Sequence, residues 1–85
     1  MKQEKISVIM KNGLHARPAS QLVQLANSFD SNIIIKTDNK NLDCKSILCL
    51  MSSGIKENDE IFIEAIGDDE EEAIKKIVTF FTTTK

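Results

Sequence analysis

The single histidine of the chain, His15, stands in the run Gly13-Leu14-His15-Ala16-Arg17-Pro18-Ala19. A neutral imidazole is a nucleophile, and this one falls where a helix is predicted to begin. Ala19, Leu22, Val23 and Ala26 recur at i, i+3, i+4 and i+7 and form one apolar face. Gln21, Gln24 and Asn27 fall on the other side. Pro18 sits just inside the start, where a missing N–H costs nothing. The first N–H groups of a helix have no intrahelical partner, and the macrodipole adds about half a positive charge there. Together these make an anion site. Ala16 and Arg17 can offer such N–H groups, and the Arg17 guanidinium can hold phosphate oxygens in bidentate fashion. The chemistry that suits this corner is nucleophilic attack by His15 on a phosphoryl group, with the oxyanion clamp already built. On spacing alone, a capping or surface histidine without chemistry is the competing explanation.

The elements that must position this corner are short and alternate in type. Residues 4–10 place Ile6, Val8 and Met10 on one side, as a half-buried strand does, and Lys11-Asn12-Gly13 ends it with turn chemistry. After the first helix, Phe29 closes onto the core. Residues 32–37 are β-branched and read as a strand, and Asp38-Asn39-Lys40-Asn41 turns it into Leu42-Asp43-Cys44. Ser46 opens Ile47-Leu48-Cys49-Leu50-Met51, which reads as a short helix stopped at Gly54, with a strand as the runner-up. Residues 60–66 form the last strand. Asp68 with Glu71, or Asp69 with Glu72, has capping-box spacing before a closing helix that turns Ala73, Ile74, Ile77, Val78 and Phe81 inward. The order β-α-β-β-α-β-α predicts an α+β fold over residues 1–85 as one domain. It is an open-faced β-sandwich, a four-stranded, mostly antiparallel sheet covered on one face by three helices.

Composition narrows the function classes. A chain of 85 residues holds one modest core and no deep enclosed pocket, which favours a carrier or binding module over a free-standing enzyme. Eleven basic against thirteen acidic side chains give a net charge of −2, so no basic excess points to nucleic acid. No apolar run approaches the roughly 20 residues of a membrane span, and Met1-Lys2-Gln3-Glu4-Lys5 lacks the apolar core of a signal peptide. A cytoplasmic protein is expected, with Cys44 and Cys49 as reduced thiols. These cysteines and His15 lack a second ligand pair, so no metal is expected. The acidic run Asp68 to Glu72 is a helix start favoured by the dipole.

The run from Gly13 to Ala19 resembles the active-site signature of HPr, the histidine-containing phosphocarrier family of the bacterial phosphoenolpyruvate–sugar phosphotransferase system. A second block, Lys45-Ser46-Ile47-Leu48-Cys49-Leu50-Met51-Ser52-Ser53-Gly54-Ile55, resembles the family's regulatory-serine region. The likeness spans essentially the whole chain. It implies that His15 takes a phosphoryl group on Nδ1 from the phosphohistidine of Enzyme I and gives it to a histidine of a sugar-specific Enzyme IIA. Arg17 matches the arginine that assists transfer, and Pro18 the proline that follows it. No cofactor is implied for the carrier, because the group travels as a phosphoramidate. Ser46 matches a serine that an ATP-dependent HPr kinase/phosphorylase modifies in many Gram-positive-type members, with a catabolite-control transcription factor as a further partner. Cys49 stands where many members have glycine, and Ser53 where an apolar residue is common.

The short helix is apolar nearly all round, so part of it must meet solvent or a partner. Ile47, Leu48 and Met51, with Ser20 and Gln24 from the first helix, are expected to surround His15 as the docking surface of a monomer. Two other functions compete. The nitrogen-regulatory paralogue keeps the histidine block, but the serine block favours the sugar branch. A non-catalytic α+β interaction or RNA-binding domain would need no chemistry, and the chain lacks the stacking aromatics and basic stripe of RNA binders.

Overall fold

Alternation in the strands decides which face of the sheet is covered. A computed structural model describes residues 1–84. It comprises β1 (Lys2–Ser7), α1 (Ala16–Asn27), β2 (Asn32–Lys36), β3 (Asn41–Asp43), α2 (Ile47–Met51), β4 (Glu60–Ile66) and α3 (Glu70–Thr83). The four strands run in the order β1-β4-β2-β3, and every pairing is antiparallel. Ile35 faces Ile63, Ile33 faces Ala65 and Ile6 faces Ile61, all buried on the helix side. The helices supply Leu22 and Ala26 from α1, Leu50 from α2, and Ala73, Ile77 and Phe81 from α3. Helix α3 lies along β1 and β4, and α1 packs against both α2 and α3. The opposite face of the sheet is open and carries Phe62, with the Lys5 ammonium 5.8 Å from its ring centroid.

Two boundaries differ from the sequence expectation for physical reasons. Regular pairing of the first strand covers residues 2–7 and not 4–10. Its partner β4 begins at Glu60 opposite Ser7, and before it the chain turns through Asn58 at φ 73°. The inward alternation nevertheless continues through buried Val8 and Met10. At the start of α3, Asp69 occupies the cap position but makes no capping bond to its own helix. Only half of a box is formed, two residues earlier, where the Gly67 N–H donates to Glu70 Oε1 at 3.1 Å.

Freed from capping, the Asp69 carboxylate ties α3 to the entrance of β2. It accepts from the N–H groups of Asp30 and Ser31, both at 2.9 Å, and from the Ser31 hydroxyl. The Ser31 hydroxyl first, and the Asp30 N–H next, hold this carboxyl below its usual range. Glu70 is lowered in the same direction by the N-terminal ammonium and by Gly67. Both groups are ionised more readily in the folded chain than in the unfolded one. Their contribution is therefore present above the ordinary carboxylate range and is lost as pH falls through the depressed folded values. Acid unfolding of Asp69→Asn, followed by circular dichroism below about pH 4, is expected to be less steep than wild type. Glu70 keeps part of the slope. An unchanged profile would remove Asp69 as a source of acid sensitivity.

The cysteines are free thiols. Cys44 is buried, and burial pushes its thiol up to about 12. Cys49 is half-buried on α2.

Candidate functional site

His15 is the N-cap residue of α1. Its backbone is extended, at φ −97° and ψ −171°, and its carbonyl accepts from the Ala19 N–H at 2.9 Å. Its side chain makes no capping bond and is exposed. This is an unusual use of the position, since a cap residue normally turns its side chain back onto the helix N–H groups. Here the ring is left outward, and the helix start is left open. Pro18 is the third helical residue, so the free N–H groups of the first turn belong to Ala16 and Arg17. Pro18 and Ala19 are buried and seat the turn on the core. Arg17 is exposed and forms no ion pair among the described residues. The corner thus joins an imidazole, two free backbone N–H donors and an uncommitted guanidinium.

The loop that delivers His15 is held from the far end of α2. The Leu14 N–H donates to the Ile55 carbonyl at 3.1 Å, the Gly13 N–H to Met10 at 3.0 Å, and the His15 N–H to Gly13 at 3.1 Å. Leu14 itself is buried. Gly13 has a φ of 67°, which L side chains rarely adopt, and a Cβ there would collide with the Ile55 carbonyl oxygen. The structure therefore brings the two sequence blocks into direct backbone contact.

The residues of the second block are placed as follows. Ser46 caps α2, its Oγ accepting from the Cys49 N–H at 3.3 Å. On α2, Leu50 is fully buried, whereas Ile47, Leu48 and Met51 are 39%, 79% and 49% exposed. The helix thus spends one side chain on the core and shows three to solvent. Arg17, Ser20 and Gln24, at i, i+3 and i+7, form an exposed stripe of α1, the helix packed along α2. Ser53, the polar departure, is buried, and its hydroxyl accepts from the Ile55 N–H at 3.2 Å. The contact of Ile55 with the loop before His15 was not legible in the sequence. Its only signal was the pair Gly54 and Asn58, both residue types that tolerate positive φ.

Among the described residues no three metal-ligating side chains cluster, and no helix is long and apolar enough to cross a membrane. The fold and this helix start define a small α+β domain with an exposed histidine at an open helix N-terminus. Residues 2–83 match the family described as the PTS HPr component phosphorylation site. The chain belongs to the HPr family, the phosphocarriers of the sugar phosphotransferase system. It is 41% identical over 80 residues to the HPr-like protein Crh of Bacillus subtilis (strain 168), covering 94% of each chain. It is 39% identical over 82 residues to the phosphocarrier protein HPr of Lysinibacillus sphaericus, covering 96% of this chain and 93% of that one. A crystal structure of HPr from Thermoanaerobacter tengcongensis superimposes with a TM-score of 0.93 at 44% identity, covering 98% of this chain and 93% of that one. An HPr dimer from the same organism superimposes at 0.76, with 44% identity and coverages of 98% and 95%.

Proposed function

We propose that His15 is the residue that carries the phosphoryl group. It accepts the group from phospho-Enzyme I and gives it to a histidine of a sugar-specific Enzyme IIA. The single observation behind this assignment is the outward, unbonded ring at an N-cap whose first two N–H groups are free. In each step the lone pair of one imidazole nitrogen attacks phosphorus while the phosphorus–nitrogen bond to the other imidazole breaks. The protein is a relay, so its site needs to hold charge and stay accessible, not to enclose a substrate. Ala16 and Arg17 N–H groups take the phosphoryl oxygens, and the Arg17 guanidinium offsets their charge. Ile47, Leu48 and Met51 with Ser20 and Gln24 form the face that both partners meet.

The test is incubation with Enzyme I, phosphoenolpyruvate and Mg²⁺ in a cytoplasm-like buffer. One acid-labile phosphoryl group on the peptide containing His15 is expected. No label, or a label elsewhere, would overturn the assignment. His15, Ala16, Arg17 and the α2 face all come from one chain, so one chain is the working unit. Sedimentation velocity should show a single monomeric species, and a dimer at working concentration would contradict this.

Ser46 is proposed as a regulatory site for HPr kinase/phosphorylase, with a catabolite-control transcription factor reading the product. A phosphate there adds nearly two negative charges beside the exposed α2 face, which repels an acidic partner surface. Kinase and ATP should give an acid-stable phosphate that is absent in Ser46→Ala, and the modified protein should accept phosphoryl groups from Enzyme I more slowly. Persistence of the label in Ser46→Ala would remove the site.

A further inference from the structure

The segment between α2 and β4 grips the backbone one residue before His15. The grip is the Ile55 carbonyl on the Leu14 N–H. Two side chains aim that carbonyl. The Asp59 carboxylate accepts the Lys56 N–H at 2.8 Å. The Lys56 N–H and the Ile55 carbonyl belong to one peptide unit. A charged acceptor at one end polarises the unit and strengthens the carbonyl at the other. Asp59 is itself fixed to the end of the first strand. Its carbonyl accepts from the Val8 N–H at 2.9 Å, and the Asn58 N–H donates to the Val8 carbonyl at 2.8 Å.

Ser53 works on the preceding peptide. Its hydroxyl accepts the Ile55 N–H in a buried setting, with Ile55 only 5% exposed. Between them lies Gly54, at φ 74°, with nothing within 4 Å of where a side chain would begin. That residue is a swivel with no packing of its own to stop it. The Ser53 hydroxyl supplies the stop, and without it the buried Ile55 N–H would have no partner.

From this geometry we infer that Ser53 and Asp59 are positioning residues for phosphoryl transfer at His15. They act through the Ile55–Lys56 peptide and Leu14, and neither touches the phosphoryl group. The inference rests on His15 being the acceptor. It makes the sheet the reference frame of the site. Val8 fixes Asp59, Asp59 and Ser53 fix Ile55, and Ile55 fixes the residue that presents the imidazole.

The test compares Ser53→Val with Ser53→Thr, which have nearly the same volume and differ in the hydroxyl, and Asp59→Ala with Asp59→Asn, which keeps an acceptor. Transfer from phospho-Enzyme I is measured as a single-turnover rate and as KM, together with hydrogen exchange at the Leu14 amide. Ser53→Val and Asp59→Ala should slow transfer roughly tenfold, leave KM near wild type and speed exchange at Leu14. Ser53→Thr should restore both, and Asp59→Asn, which keeps the acceptor without the charge, should restore part of each. Unchanged rates in Val and Ala variants, a defect confined to KM, or a Thr variant no better than Val would overturn the inference. Asp59 is exposed, so Asp59→Ala carries the test if Ser53→Val fails to fold. If wild type takes no phosphoryl group, the His15 assignment falls, and Leu14 exchange still decides whether the two side chains hold the loop.

Discussion

His15→Ala is expected to take up no acid-labile phosphate from Enzyme I while unfolding at essentially the wild-type temperature. The two halves of this outcome have separate causes. No other imidazole exists in the chain to take over the nucleophile's role. The ring is exposed and caps nothing, so its removal deletes little packing and no capping hydrogen bond. Surface changes of that kind stay within about 0.5 kcal/mol. The cap carbonyl that accepts from Ala19 is backbone and survives the substitution. Arg17→Ala should leave the acceptor in place but slow transfer about ten- to a hundredfold, the effect of losing one preorganised charge donor. Arg17→Lys should recover only part of that rate, because an ammonium keeps the charge and lacks the two-pronged fork. Mass spectrometry and quenched-flow labelling read both. A His15→Ala protein that still labels, or that unfolds, would break the link between the exposed ring and the phosphoryl group.

The partition between stability and chemistry explains what the sequence disclosed. The amphipathic spacing of α1 and the alternation of residues 4–10 carried periodic signals, because each element buries one face, and the β-branched run 32–37 marked β2 by composition. The short apolar run 47–51 was legible as a partly exposed helix for a different reason. Five apolar residues in little more than one turn cannot all face one core, and Leu50 alone does so completely. What was not legible came from contacts distant in sequence. Asp69 looked like a cap for its own helix, yet the N–H groups of Asp30 and Ser31 claimed it across 38 to 39 positions. The end of the first strand depended on where its partner began. The tether of Leu14 by Ile55 likewise pairs backbone atoms, whose hydrogen-bonding capacity is the same for nearly every residue type and so leaves no trace in composition.

Gly13→Ala is the substitution expected to damage both stability and transfer, and it shows how closely the two blocks are fitted. The residue must hold a φ of 67°, and an alanine in that region costs about 1–2 kcal/mol on backbone grounds alone. The new methyl would also meet the Ile55 carbonyl oxygen and lie 3.0 Å from the Lys56 Cα. These are backbone atoms, and they cannot rotate away as a side-chain tip would. Either the 55–56 peptide or the loop before α1 must move, and both movements break the Leu14–Ile55 hydrogen bond. A total loss of about 3 kcal/mol follows, near the upper end of ordinary point mutations. For a domain of this size that lowers the melting temperature by roughly 12–24 °C. The transfer rate should fall as well at temperatures where the variant is folded, since His15 is the second residue after Gly13. Thermal melts and single-turnover labelling at low temperature separate the effects. A variant that melts normally would show that the loop yields without strain. One that is destabilised but transfers at the wild-type rate would show that the imidazole is presented by α1 alone, and that the tether to Ile55 serves the fold and not the chemistry.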